Sequence, residues 1–419
     1  MPHHTALIST IAVGLVYALI GGLLAARLRL SPLVGYLLAG IAVGPFTPGF
    51  VADVALAPQL AEIGVILLMF GVGMHFSLSD LLAVRNIALP GALLQIVAAT
   101  ALGAGLAHFW GWGFGPGLVF GLALSVASTV VLLRALEARG SLKSQYGRIA
   151  VGWLIVEDLV TVLVLVLLPV LPGMLTGQTT ATEPHGATAS GNGPGLALVV
   201  GVTLGKVAAF AAVMGLGGAR VLRWLLTRVE RTGSGELFTL AVAAIALGVA
   251  YGSAELFGVS FALGAFIAGV VVNGSDLSHR AARDLQPLQD AFGVLFFVAV
   301  GMLFDPAILI QQPGRVLAVV AVIVAAKSLM AFALMLAFRY PPSGAFTIAA
   351  SLAQIGEFSF ILGELGLSLR LLPKEGLSLI VAGALISITL NPFVFALESW
   401  LGRFWGGSRP TQGDQVSPT

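Results

Sequence analysis

Stretches of about twenty residues with almost no charge recur from one end of this chain to the other, and no other feature constrains its fold as tightly. A run of that length crosses the hydrocarbon of a bilayer as a helix, because a helix satisfies its own backbone N–H and C=O groups where water is absent. Composition agrees. Charged residues make up 10% of the 419 positions and apolar residues 58%, with a mean hydropathy of +1.01. A soluble domain carries about 25% charge, so this chain has too little polar surface to cover a globule. The apolar content excludes disorder, and the runs are continuous rather than alternating, which excludes an outer-membrane β-barrel. The chain reads as an all-α polytopic membrane protein.

A twenty-residue ruler marks thirteen segments, at about 7–26, 32–48, 59–76, 88–109, 116–137, 147–171, 195–219, 236–254, 258–273, 288–304, 315–338, 344–364 and 377–401. The distribution of basic residues tests the count. With the amino terminus outside, only Arg315, Arg370 and Lys374 fall in outside loops, and Lys206 and Lys327 fall within segments. The remaining arginines and lysines gather on the cytoplasmic side. Arg27 and Arg29 follow the first segment rather than precede it, so it reads as a retained helix and not a signal peptide. The loop at about 172–194 has no Lys or Arg and reads as flexible, and 403–419 reads as a short cytoplasmic tail. The net charge of +2 sets topology rather than affinity for nucleic acid. The absence of cysteine excludes disulfides, thiolate metal sites and cysteine nucleophiles. No Walker A, zinc or nucleophile motif is present, so an enzyme, a resident cofactor and ATP-driven pumping are not expected of this chain.

The two ends of the chain resemble each other. SPLVGYLLAGIAVGP (Ser31–Pro45) matches GVSFALGAFIAGVVVNG (Gly258–Gly274), and FGVGMHFS (Phe70–Ser77) matches VAVGMLFD (Val298–Asp305). This divides the transmembrane unit 1–402 into a first repeat at about 7–171, a linker helix at about 195–219 and a second repeat at about 236–401. The offset of seven segments is odd, so the second copy lies upside down. Inverted repeats mark secondary transporters, which bind their substrate near the midplane between the copies.

Charged residues inside apolar segments are costly and point to function. Glu157 and Asp158 lie about eleven residues into the sixth segment, roughly 16 Å along the helix and near the bilayer centre. Adjacent residues point about 100° apart, so one carboxylate can face a cavity and the other a partner. Thr161 shares their face. Lys327, midway along the eleventh segment, is the expected ion-pair partner. SVASTVV (Ser125–Val131) and SLAQIGEFSF (Ser351–Phe360) occupy equivalent places in the two repeats. Small residues there allow broken helices whose free backbone groups and half-helix ends face a site. Ser128, Thr129, Gln354 and Glu357 are the candidates on them, although Ser128 and Thr129 also suit back-bonding within an intact helix. Glu62, Glu255, Asp305 and Glu364 sit near segment ends and read as solvated. The pairs Gly40 and Gly44, Gly117 and Gly121, and Gly201 and Gly205 read as packing devices.

An ionised carboxylate binds Na⁺ or K⁺, and a neutral one has bound H⁺. The two ligands compete for one place. If access alternates only when that place is filled, cation exchanges for proton. Titration of Asp158 alone makes the exchange electroneutral, and release of a proton by Lys327 when Glu157 is freed makes it electrogenic.

LVGYLLAGIAVGP, LAEIGVILLMFGVG, LALSVASTVVLLRAL, GWLIVEDLV, SFALGAFIAGVVVN and LFFVAVGMLFDP resemble the monovalent cation:proton antiporter-2 family, in its Kef-type subgroup, over Leu7 to Leu401. The resemblance implies thirteen helices in two inverted six-helix repeats with a linker helix. It implies a core domain, segments four to six and eleven to thirteen, that holds crossing broken helices and moves against a dimerisation domain. By the same resemblance Asp158 matches the essential ion-binding aspartate, and Lys327 the core lysine that pairs with the residue before it. That preceding position is Asp in electrogenic sodium/proton members and Gln in potassium-efflux members; here it is Glu157. Kef-type proteins continue into a nucleotide-binding regulatory domain, and this sequence has no G-x-G-x-x-G unit. The expectation is a K⁺/H⁺ or Na⁺/H⁺ antiporter, with potassium slightly favoured, working as a homodimer in a bacterial inner membrane. The alternatives are a gated cation channel, an organic-anion symporter on the same scaffold, and a non-transporting sensor.

Overall fold

The computed structural model describes residues 6–404, apart from 29, 49, 54, 76–77, 143 and 169–195. The loop at 172–194 and the tail from 405 onward lie outside the described residues. The described residues form helices and no strand. The chain begins with α1 (Ala6–Arg27), α2 (Pro32–Val43), α3 (Ala57–His75), α4 (Leu78–Phe109), α5 (Phe114–Ser125), α6 (Thr129–Ala138) and α7 (Gln145–Leu167). Next, α8 runs from Leu196–Val213 through a π-helical turn at Met214–Gly218 into Ala219–Glu230. Then come α9 (Gly235–Phe257), α10 (Phe261–Asn273) and α11 (Ser278–Met302). A single turn at Ile308–Gln311 precedes α12, which joins Pro313–Val320, a π-helical stretch at Ala321–Ala326 and Lys327–Ala337. Finally come α13 (Pro342–Ser351), α14 (Glu357–Ser368) and α15 (Lys374–Phe404). Nine helices among the described residues are long and apolar enough to cross a membrane, and α2 and α10 are shorter apolar helices.

Local chemistry sets the helix ends. The Ser144, Ser234 and Ser260 hydroxyls accept the N–H groups of Gly147, Leu237 and Leu263, which caps α7, α9 and α10. Pro32, Pro313 and Pro342 begin α2, α12 and α13, where a missing N–H costs nothing. Gly258 ends α9 at φ 65°, a left-handed position that suits glycine.

Three helices run past the apolar ruler. α4 begins at Leu78 rather than 88, α8 continues to Glu230 rather than 219, and α11 begins at Ser278 rather than 288. The ruler stops at charge, but a helix does not. Beyond the apolar stretch, α8 buries Leu222 and Leu226 on one face and carries its arginines on the other. Conversely, α2 stops at Val43, short of 48, at the Gly44–Pro45 pair.

Glycine sets two close crossings. α2 packs on α11, and α10 packs on α3. A Cβ on Gly40 would lie 2.1 Å from the Val298 carbonyl oxygen, and one on Gly301 would lie 2.3 Å from that of Leu37. In the other crossing, a Cβ on Gly269 would lie 2.1 Å from the Phe70 oxygen, and one on Gly73 would lie 2.2 Å from that of Phe266. In the matched motifs Gly40 corresponds to Gly269, Gly301 to Gly73, Leu37 to Phe266 and Val298 to Phe70. The two crossings are therefore the same contact with the matched motifs exchanged. Gly121 also meets backbone, 2.2 Å from the Thr100 oxygen, whereas Gly201 and Gly205 face open space. A separate apolar cluster draws on α4, α6, α7, α12 and α13 through residues such as Ala92, Leu132, Trp153, Met335 and Ile348. The helices of that cluster carry most of the candidate site.

Candidate functional site

Two interruptions build the site. α5 stops at Ser125 and α6 starts at Thr129, with Val126 (φ −92°, ψ 127°) and Ser128 (φ −81°, ψ 122°) extended between them. α13 stops at Ser351 and α14 starts at Glu357 after an extended Gly356 (φ −133°, ψ −159°). The interruptions touch. A Cβ on Gly356 would lie 2.4 Å from Ser128 Cβ and 2.5 Å from Ser128 Cα.

Broken helices leave backbone groups without intrahelical partners, and buried ones must be satisfied. Gln354 does much of this. Its Oε1 accepts the Ser128 N–H at 2.8 Å, and its Nε2 donates to the carbonyls of Ser128 at 3.1 Å and Ser351 at 3.3 Å. The Ser128 hydroxyl accepts the Val131 N–H at 3.3 Å and donates to Glu357 Oε2 at 3.2 Å. Ser359 Oγ donates to the Val126 carbonyl at 3.4 Å. Glu357 occupies the first turn of α14, where a carboxylate suits the positive end of the helix dipole. Ser128 caps a new helix here and does not back-bond within a continuous one.

The two adjacent acids of α7 have different surroundings. Glu157 is fully buried, and both of its oxygens accept from N–H donors: Oε1 from Gln95 Nε2 at 2.6 Å, Oε2 from the Ala127 backbone at 2.9 Å. The indole N–H of Trp153, one turn earlier on α7, faces the same carboxylate outside hydrogen-bond geometry. Asp158 Oδ2 accepts from the Thr129 hydroxyl at 3.1 Å, and its Oδ1 is buried with no hydrogen-bond partner. The Thr161 hydroxyl turns back onto the Glu157 carbonyl at 2.8 Å and so serves its own helix. Among the sequence candidates, the structure thus joins Ser128 to Gln354 and Glu357, and Thr129 to Asp158.

Lys327 is 1% exposed and sits where the π-helical stretch of α12 ends. The expected ion pair is not a direct contact. Its Nζ donates to the Gln354 carbonyl at 3.2 Å. The ion pairs within 4.0 Å among the described residues are Arg280 with Glu230 and Asp284, and Arg315 with Glu375. Glu157 is the acid whose charge bears on Lys327, but neutral donors occupy its oxygens first. Three buried carboxylates and one ammonium therefore share one region, bridged by Gln354. Lys206 is exposed on α8, apart from the site.

Sequence reading missed Gln95, Ala127 and Trp153. Gln95 is a fully buried amide in the apolar run of α4. Its lone polarity was the available signal, weaker than a charge because an amide costs less to bury. A backbone N–H such as that of Ala127 gives no signal in sequence. No group of three or more His, Cys, Asp or Glu among the described residues has the geometry to hold a metal. Two buried carboxylate oxygens among the described residues have no hydrogen-bond partner, Asp158 Oδ1 and Glu364 Oε1, so Glu364 is not the solvated acid its place near a segment end suggested. The Asp158 oxygen, beside a hydroxyl and two helix breaks, is suited to a small cation or a proton.

Comparison with known proteins bears on this geometry. Residues 15–397 match the family described as sodium/hydrogen exchanger, transmembrane. The chain belongs to this family. Within the exchanger family, it is 61% identical over 404 residues to YbaL of Escherichia coli, which carries the provisional name of cation/proton antiporter. That match covers 96% of this chain and 70% of YbaL. K(+) efflux antiporter 4 of Arabidopsis thaliana is 33% identical over 93% of this chain and 64% of its own length. These relatives are transporters rather than enzymes. The structure of the sodium proton antiporter MjNhaP1 from Methanocaldococcus jannaschii superposes with a TM-score of 0.66 at 17% identity, over 95% of this chain and 98% of that one. At that identity the likeness is one of fold, an all-helical polytopic membrane protein.

Proposed function

We propose that this exchanger-family chain is a secondary active antiporter of a monovalent cation against protons, and that Asp158 is where the two compete. The observation that carries the reading is the free Asp158 Oδ1, buried beside Thr129 where the two helix breaks meet. A buried polar atom without a partner is costly and calls for a ligand. A proton and a dehydrated cation both meet that need, and they exclude each other. Glu157, held by Gln95 and Ala127, supplies a fixed charge with Lys327 as its electrostatic counterweight. Ser128, Thr129, Gln354 and Glu357 form the polar wall. Potassium is favoured over sodium by the motif resemblance and by the likeness to a plant K⁺ efflux antiporter.

The architecture proposed with this function has thirteen spans in two inverted repeats flanking a linker helix that begins α8. The exchanged Gly40–Gly301 and Gly73–Gly269 contacts support an internal two-fold relation. The apolar cluster of α4, α6, α7, α12 and α13 supports a core body that rides against α1–α3 and α9–α11 in an elevator motion. The protein works as a homodimer in a bacterial inner membrane, amino terminus outside and carboxyl terminus cytoplasmic.

The test is exchange by purified protein in liposomes that carry a lumenal pH dye and an imposed proton gradient. Na⁺, K⁺, Rb⁺ and Li⁺ are added in turn at clamped voltage. The expected result is collapse of the gradient by one cation above the others. Conductance without obligatory proton flux would replace the antiporter with a channel.

A further inference from the structure

A cavity of about 430 Å³ lies between the start of α2, one face of α6 and the second half of α15. Its walls are mostly apolar, through side chains such as Val131, Ile388 and Phe395. Among the described residues its charged lining side chains are Arg134 and Arg139, and none of those described is acidic. Arg139 lies over the Phe395 ring, 4.9 Å from guanidinium carbon to centroid, and stays at the wall. Arg134 is exposed and makes no hydrogen bond or ion pair among the described residues. Ser31 Oγ, also in the lining, is buried with no hydrogen-bond partner. The cavity belongs to neither the Asp158 site nor the Gln354 network.

Two guanidinium groups and a free hydroxyl over apolar walls fit a group that carries an anionic head on an apolar body. Arginine recognises phosphate through paired N–H donors. Basic pockets between membrane helices on the arginine-rich side take lipid phosphates. We infer that this cavity binds the phosphate headgroup of an anionic phospholipid. The volume suits a headgroup and its glycerol, within the range of small-ligand sites. Its position gives the lipid a consequence, which rests on the proposed motion of a core against a fixed body. α2 belongs to the fixed body; α6 belongs to the moving one, and so does α15, the thirteenth segment, by the family resemblance. A ligand that fits the seam in this conformation stabilises this conformation, so the bound lipid slows the exchange cycle.

The test uses the full chain, intact and as Arg134→Ala/Arg139→Ala. Each is reconstituted in phosphatidylcholine alone or with phosphatidylglycerol. Native mass spectrometry then reads retained lipid, independently of transport. Phosphatidylglycerol is expected on the intact protein, with retention about fivefold weaker for each arginine removed. Exchange should be faster in the double variant than in the intact protein when phosphatidylglycerol is present, and equal in phosphatidylcholine. Arg228→Ala/Arg231→Ala, which alters basic residues away from the cavity, should retain the lipid fully. Equal retention by intact and Arg134/Arg139-substituted protein, or equal loss in the Arg228/Arg231 control, would overturn the site. Displacement of the lipid by millimolar inorganic phosphate would make it a site for free anions and overturn the lipid assignment. If the double variant does not fold, Arg134→Gln alone should show the fivefold loss. Retention without exchange in any vesicle would sink the antiporter reading and leave the lipid site standing.

Discussion

Gln354 and Ser128 hold each other by two hydrogen bonds across 226 positions of sequence, backbone N–H to amide oxygen and amide N–H to backbone carbonyl. The amide oxygen thereby replaces the carbonyl that a continuous helix would have given the Ser128 N–H. Removing the side chain orphans the buried Ser128 N–H and takes a donor from the Ser351 carbonyl, while the Ser128 carbonyl keeps the Leu132 N–H. Gln354→Leu should cost about 2–4 kcal/mol of stability. Thermal unfolding in detergent should begin well below that of the parent protein, and an unchanged midpoint would mean that the breaks are held by something else.

Gly356 and Ser128 meet too closely for any side chain at 356. Gly356→Ala forces a Cβ against backbone, which cannot yield as a flexible side chain would. Loss of exchange together with a lowered unfolding temperature is expected. Gly314→Ala, at a helical position with open space, is the matched control and should be silent. Equal behaviour of the two variants would contradict the described contact.

Asp158→Asn should leave a folded protein that exchanges nothing. The amide keeps an oxygen for the Thr129 hydroxyl but neither carries charge nor accepts a proton. Liposome exchange and size-exclusion behaviour, measured on one preparation, separate the two properties. Normal exchange would remove the aspartate from the mechanism.

Glu157→Gln tests the fixed-charge role. The new amide presents one acceptor and one donor to two N–H groups, and the Gln95 amide can turn its own unpartnered oxygen toward the donor. The fold should therefore persist with some exchange retained. Its voltage dependence should change, as read from dye signals at several clamped potentials. An unaltered voltage response would place Glu157 outside the charge-moving step.

Lys327→Met should be among the more damaging of these changes. It removes a bond to the Gln354 carbonyl and the positive charge beside three buried acids. The loss is on the order of 3 kcal/mol, and a thermal shift assay reads it directly. A variant as stable as the parent would mean that the acids are neutral when Lys327 is absent.

The acids and the lysine were legible in sequence because charge in an apolar helix is expensive and therefore conspicuous. Their partners were less so. The charged residues suggested a Lys327–acid pair, but spacing cannot tell that Gln95 and Ala127 reach Glu157 first. Both breaks were foreshadowed, one by Gly356 and one by the small and hydroxyl residues of Ser125–Thr129. The latter, at Val126–Ser128, contains neither glycine nor proline, and its extended backbone is supported from across the site by Gln354 and Ser359. The apolar ruler found the helices but cut α4, α8 and α11 short, since it measures the bilayer rather than the helix.

The twin glycine crossings give this molecule an internal replicate. Gly40 and Gly269 face the same collision, at the same distance, in two separate places. A bulky residue placed at either one perturbs equivalent backbone, so any difference in tolerance comes from what surrounds each crossing. The comparison isolates the contribution of environment, within a single polypeptide, from that of the contact itself.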